Sequence, residues 1–331
     1  MLSILILWVV ATVNFLIWRD NPLAFAHELE EYTDPVTRSL LLRGANELLP
    51  LRYAHYLHKM FTYGLVYPYF GWSVIANGYV AEEISRRLPI TLFLMGASLI
   101  GSIVIGISIG TFAASRQGTK KDKLITASSL FTWSMPVFII QFLAIFIFSY
   151  LLVKYNIYIF PLNAALPVPR PTGLTLCVAI AWHMTLPIIT LILTGIGPWV
   201  MQTRNIIIDT LTQDYITTAR AKGLSERAVV YKHAFKTILP QVSTMIALAI
   251  PAVITGSIIT ETIFAVNGIG NYFCRCWIVE GVGGTTMIRI LDPQAIQAVF
   301  FIYATIAVIL NLIADLTYGV FDPRIRIGAK K

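Results

Sequence analysis

The side chains able to do chemistry are few and scattered. Five histidines are present: His27, His55, His58, His183 and His233. His55 and His58 stand three apart and share a face if their segment is helical, but no carboxylate or cysteine adjoins them. Two imidazoles alone read as a solvated interfacial pair before they read as a metal site. Cys274 and Cys276 form a C-x-C too tight for an unstrained bridge, with no histidine nearby to complete a metal set, and Cys177 reads as a small core residue at the start of a span. No G-x-x-x-x-G-K-[ST] phosphate loop occurs, so the chain is not expected to hydrolyse ATP by itself. The glycines of "GIG" (268–270) lack the strand-turn-helix setting of a dinucleotide site. Asp315, Glu261 and His183 fall in or beside apolar runs, where ionisable groups are functional candidates by default. Asp315 and Glu261 lie close enough to the ends of their runs to be solvated, and His183, between Trp182 and Met184, reads as a hydrogen-bonded core residue. No catalytic residue, cofactor site or metal site is expected. Without a series of buried acids an ion-coupled pump is unsupported, so the energy for any transport enters from outside the chain.

The elements that must position these residues are hydrophobic. Of 331 residues, 56% are hydrophobic and only 13% charged, with a mean hydropathy of +0.72. Several runs reach about 20 residues with almost no charge, enough to cross ~30 Å of hydrocarbon, where such a run satisfies its own backbone as a helix. Six spans are expected, at 1–18, 88–115, 124–153, 174–203, 238–264 and 294–320. The fold class is all-α, a polytopic membrane protein. "AFA" (24–26) after the first run raises a cleaved leader, while the missing basic residues before the run and the Arg19-Asp20 pair favour a retained span. Residues 19–87 form an extracytoplasmic segment whose "YGLVYPYFGWSV" (63–74) suits helices lying in the interface. Residues 88–320 hold five spans with a polar loop at 205–237, and 321–331 form a tail.

The net charge is +8, and 14 of the 25 lysines and arginines fall in the short stretches 116–123, 204–236 and 324–331. The longer alternate segments carry most of the acids, including Glu28, Glu30, Glu31, Asp34, Glu47, Glu82 and Glu83. This asymmetry places both termini in the cytoplasm of a multi-pass protein of the cell membrane. A charge distribution set by topology also argues against a nucleic-acid partner.

Within the spans, Gly96, Gly101, Gly106 and Gly110 recur at four- or five-residue spacing, so one helix face is expected to lie close against a neighbour. Pro136, Pro187, Pro198 and Pro251 are expected to kink theirs.

The polar stretch "DYITTARAKGLSERAVVYKHAFKTILP" (214–240) differs from everything around it. The fourth span is expected to continue through it as an amphipathic helix, with Ile208, Leu211, Tyr215, Ala219 and Lys222 spaced by three or four. Gly223 supplies the positive φ that ends a helix, Ser225 caps the next one, and Glu226 suits the positive end of its dipole. The product is a rigid elbow of two short helices. Ala219, Ala221 and Gly223 give it a smooth surface that another protein can approach.

The same stretch closely resembles the EAA loop of ABC importer permeases, specifically the B-type permease of the dipeptide/oligopeptide family. Asp214, Tyr215, Thr218, Ala219, Arg220, Ala221, Lys222, Gly223, Leu224, Ser225, His233 and Ala234 carry the match. "RRLPITLFL" (86–94), "SMPVF" (134–138), "ETIFAVNGIG" (261–270) and "NLIADLTYGVFDPRIR" (311–326) extend it over residues 50–326. The resemblance implies the type I importer, MetI-like fold of six transmembrane helices. It also implies a C-type sibling permease, two ATP-binding subunits and an extracytoplasmic solute-binding protein as partners. Asp214, Tyr215 and Thr218 to Ser225, with His233, would couple to the ATPase. Family members carry di- and oligopeptides, oligosaccharides or nickel, so peptides and oligosaccharides both stay open. A secondary transporter or channel, or a purely structural membrane subunit, is the alternative class.

Overall fold

The computed structural model describes residues 75–157, 173–249, 257–277 and 292–321 and, more sparsely, positions within 12–73, 159–164, 279–281 and 287–289. The expected first span apart from Thr12, most of the segment before residue 70, most of the proline-rich 160–173 loop, Pro251, the side chain of Asp315 and the tail from residue 322 lie outside these residues.

An antiparallel ribbon comes first, β1 (Trp72–Ser73) beside β2 (Gly78–Tyr79), with Trp72 opposite Tyr79. The helices α1 (Val80–Ser115), α2 (Lys120–Ser134), α3 (Val137–Ala144) and α4 (Leu152–Lys154) follow, the last two joined by a π turn at Ile145–Leu151. Next are α5 (Leu174–Leu211), α6 (Asp214–Ala221), α7 (Glu226–Ala228), a second π turn at Val229–Ala234, and α8 (Phe235–Ala249). The chain continues with α9 (Ser257–Ile263), α10 (Ile269–Arg275), a ribbon of β3 (Val279–Gly281) and β4 (Met287–Arg289), and α11 (Pro293–Phe321). Strands of two or three residues leave the class all-helical. Among the described residues, four segments are long and apolar enough to cross a membrane: Val80–Ser115, Val137–Lys154, Leu174–Leu211 and Gln294–Ile313.

The spans differ from expectation at their edges, each for a local reason. The helix expected from 88 begins at Val80, because Glu82 and Glu83 occupy its first turn and pair one turn on with Arg86 (3.4 Å) and Arg87 (2.8 Å). The run 124–153 is not one span. Pro136 sits at φ −56, ψ 130 and forces Met135 into an extended conformation, so α2 ends at Ser134 and the crossing helix starts afresh at Val137. Pro136 is thus a break, whereas Pro187 and Pro198 lie inside a continuous α5. Pro240, expected near the start of the fifth span, lies inside α8.

Two compact units are distinguished, Met1–Thr91 with Asn267–Val308 and Leu92–Val266 with Ile309–Lys331. In the first, Val80, Ile84, Ile269, Tyr272, Cys276, Ala295 and Val299 form the core. Asp292, 1% exposed, ties it together: its carboxylate accepts from Ser73 Oγ (2.6 Å) and from the Ala295 amide (3.1 Å) at the start of α11. Arg87 lies 4.9 Å from the centre of the Tyr272 ring. Cys274 and Cys276 are free thiols, and burial pushes the Cys276 thiol well above its ordinary range.

In the second unit the glycines behave as expected, with one exception. A Cβ on Gly101 would overlap the Ile192 side chain, one on Gly106 the Trp199 Cβ, and one on Gly110 would sit 2.7 Å from the Val200 carbonyl oxygen. Since the contacts advance together along both helices, α1 and α5 run side by side in the same direction. Gly96 has nothing within 4 Å and takes no part. A Cβ on Gly197 would lie 2.6 Å from the Ser129 carbonyl oxygen, so α2 also approaches the α5 backbone closely. Two sequence-based expectations fail here. Cys177 is exposed, and Glu261 is fully buried beside Thr260, whose hydroxyl accepts from Gln141 Nε2 at 2.7 Å. Position near the end of an apolar run did not reveal that α9 packs against α3.

Candidate functional site

The 205–240 stretch folds as an elbow, though not with the expected continuity. Helix α5 stops at Leu211 with Thr212 and Gln213 closing its last turn, and Gln213 takes extended backbone (φ −76, ψ 148) before α6 begins at Asp214. The apolar face also differs from the predicted one. Ala219 is buried as predicted, but beside it Ile216 is buried too, while Tyr215 and Lys222 are exposed and Leu211 is half-buried. Breaking the helix re-phases it, so a face counted through position 212 loses its register.

Gly223 holds φ +77, the left-handed conformation expected of it, and its amide donates to the Arg220 carbonyl at 2.9 Å. Ser225 then caps α7, its Oγ accepting from the Ala228 amide at 3.3 Å. Arg220 reaches across the bend to Glu226 at 2.8 Å and, from its other side, to the Leu211 carbonyl at 3.5 Å. At an exposed position such a pair contributes little stability by itself, but it links three segments and narrows the angles open to them. Removing the cap by Ser225→Ala should loosen the second arm by about 1 kcal/mol, read as roughly fivefold faster hydrogen exchange at the Ala228 amide.

Beneath the elbow lies an apolar core. Ile216 is wholly buried, and Val229, Val230, Ala234, Ile238 and Val242 meet it together with Ala114 at the end of α1 and Ile207 in α5. Six side chains of Val or Ile size at roughly 1.5–3 kcal/mol each make this anchorage far stronger than a solvated loop would have. Beside it, Asp122 in the first turn of α2 receives the Arg204 guanidinium on both oxygens, Nε at 2.6 Å and Nη2 at 2.8 Å. The Asp122 carboxyl also accepts from the Gly118 amide at 2.9 Å, and the Arg204 bond chiefly holds its pKa below the ordinary carboxylate range.

Of the residues expected at this site, Asp214, Tyr215, Thr218, Arg220, Ala221, Lys222, Gly223, Leu224 and Ser225 are exposed along one continuous bend. Ala219 is not on that surface but buried, and His233 is half-buried. Tyr215 (45% exposed), Leu224 (38%) and Tyr231 (45%) stand as large apolar side chains on an otherwise polar surface. Tyr231, the Arg220–Glu226 bridge and the Asp122–Arg204 pair were missed in the sequence reading. Tyr231 follows two buried valines and was readable as the outward residue of that turn. Nothing local relates residues 82 positions apart in the chain.

Residues 106–327 match the family model of the binding-protein-dependent transport system inner membrane component. The probable peptide ABC transporter permease protein y4tP of Sinorhizobium fredii is 32% identical over 285 residues, covering 86% of this chain and 82% of that protein. The oligopeptide transport system permease protein AppB of Bacillus subtilis is 32% identical, over 85% of this chain and 82% of its own length. The dipeptide transport system permease protein DppB of Escherichia coli K12 is 29% identical over 92% of both chains. Among solved structures, an inward-facing crystal form of the MetNI methionine ABC transporter aligns with a TM-score of 0.54 and 14% identity, covering 72% of this chain and 96% of that one. At that identity the likeness concerns the fold alone.

Proposed function

Because the chain belongs to the binding-protein-dependent transport system inner membrane components, we propose that its elbow is where ATPase subunits grip it and drive transport. The chain is a permease subunit of an ABC importer, spans the membrane several times, and is not itself an enzyme. Its cargo in this reading is di- or oligopeptides, the class in the names of the relatives DppB and AppB, with oligosaccharides the second choice. The full assembly pairs it with a C-type permease, two ATP-binding subunits and an extracytoplasmic binding protein. Both termini and the elbow face the cytoplasm, residues 1–18 form the first span, 19–87 an outer segment, 88–320 the core and 321–331 a tail.

The observation that carries the reading is the elbow's two-sidedness. Its lower face is sunk in the core formed by Ala114, Ile207, Ile216, Val229 and Ile238, while its upper face exposes Tyr215, Leu224 and Tyr231 among charges. Exposed aromatics on a rigid, anchored element suit a protein interface more than a loop that merely fixes topology. Force applied there reaches α1, α5 and α8 as rigid bodies and changes which side of the membrane a central path opens to. Asp214, Thr218, Ala221, Lys222 and Ser225 line the polar rim, with Gly223 and Arg220 setting the bend; Ala219 and His233 support it from within.

Changing Tyr215 and Leu224 together to aspartate should abolish co-purification of the ATP-binding subunits and reduce uptake to background, while the permease still folds and pairs with its sibling. Retained co-purification with full uptake would overturn the docking role. Uptake in complete absence of ATP-binding subunits would favour a secondary transporter.

A further inference from the structure

We propose that Asp122 and Arg204 form a coupling latch that makes α2, and through it the spanning helix α3, move with the end of α5 that carries the elbow. The inference rests on the reading of the elbow as the point where force enters, and adds how that force leaves α5. Two contacts, two turns apart, mark how α2 packs on α5. One is the backbone approach of Gly197 to Ser129, and the other is the Asp122–Arg204 pair. They are seven residues apart on each helix and advance in opposite senses, so the helices are antiparallel over two turns. The first contact is fixed packing. The second is a fork of two charged hydrogen bonds, with Asp122 2% exposed and the Arg204 side chain 20% exposed.

The position of Asp122 matters because it serves two structures at once. It lies in the first turn of α2, its amide reaching the Thr119 hydroxyl at 3.4 Å, and its Oδ2 holds the Gly118 amide, where the loop turns at φ +77. Arg204 stands two turns before the end of α5, just above the break that starts α6. A displacement of α6 that tilts the end of α5 therefore pulls on the loop and first turn of α2. Arg116, Lys120, Lys121 and Lys123 lie within six residues of Asp122 along the chain and are all exposed, so Asp122 is the one acid in a basic stretch and pairs with Arg204.

Asp122→Asn keeps an acceptor for the Gly118 amide, and with it the cap, but loses the charge that grips Arg204. In the reconstituted complex with its ATP-binding subunits and binding protein, this variant should assemble normally and hydrolyse ATP. Uptake per ATP should fall roughly fivefold or more, the scale of a 1 kcal/mol coupling term. Asp122→Glu, which keeps the charge, should recover most of the ratio, and Arg204→Lys, which keeps the charge but loses the fork, should fall between. An unchanged ratio in Asp122→Asn beside an uncoupled Gly223→Val would overturn the latch and leave the elbow reading standing. An unchanged ratio in both would overturn the elbow reading, and the latch with it. If Asp122→Asn does not assemble, Arg204→Lys carries the same test: full coupling in that variant overturns the latch, and a reduced ratio supports it.

Discussion

Gly110→Leu is expected to leave almost no folded permease. The Cβ alone would sit 2.7 Å from the Val200 carbonyl oxygen and 2.9 Å from the Thr203 Cβ, and the first of these is backbone that cannot rotate away. Separating α1 from α5 would also draw Ala114 off Ile207 and Ile216 beneath the elbow. Overpacking of this kind costs about 3 kcal/mol where neither backbone can yield, a large share of a domain's total stability. The measurement is the yield of monodisperse chain in detergent and its thermal midpoint. Gly96→Leu is the control, since nothing lies within 4 Å of that position, and it should match wild type. Equal loss from both substitutions would show that the membrane-facing composition of α1, not close packing, decides.

The second large effect is expected at Gly223, where space is not the issue. Nothing lies within 4 Å of a Cβ built there, so any consequence comes from the backbone at φ +77. A β-branched residue resists that conformation by more than the 1–2 kcal/mol typical of L-residues, whereas asparagine adopts it readily. Gly223→Val should therefore bend the elbow differently and uncouple transport, while Gly223→Asn keeps most of it. Uptake and substrate-stimulated ATP hydrolysis of the reconstituted complex read the difference. Wild-type behaviour of the valine variant would refute the rigid elbow.

The elbow was legible because its signals are local. A left-handed glycine, a serine cap and an acid in the first turn each act within four residues, and Gly223, Ser225 and Glu226 do what their types require. The break at Thr212–Gln213 was not legible, since neither residue is a strong stop and the apolar spacing carries through them. Pro136 was visible, but uninterrupted hydrophobicity made a kink and a break look alike; only the extended Met135 and Pro136 backbone separates them. Burial of Glu261 and the Asp122–Arg204 pair depend on helices meeting across long sequence separations, and periodicity carries no information about which helices meet. The glycine spacing of α1 foretold close packing without naming α5 as the neighbour.

The π turn at Val229–Ala234 has a consequence for how this stretch can vary. It points Val229, Val230 and Ala234 inward while Tyr231 and Lys232 stay outside. A π turn contains one residue more than an α turn, and each residue of a helix advances it by about 100°. The extra residue is taken up in one wider turn, so removing a single residue between 229 and 234 would leave a plain α turn of nearly the same length and phase. Side chains from Phe235 onward would keep their azimuth and Ile238 and Val242 their place in the core that seats the elbow, whereas one residue removed just after Phe235 would turn both away by about 100°. The turn absorbs a change in residue number that the helix on either side would convert into a rotation.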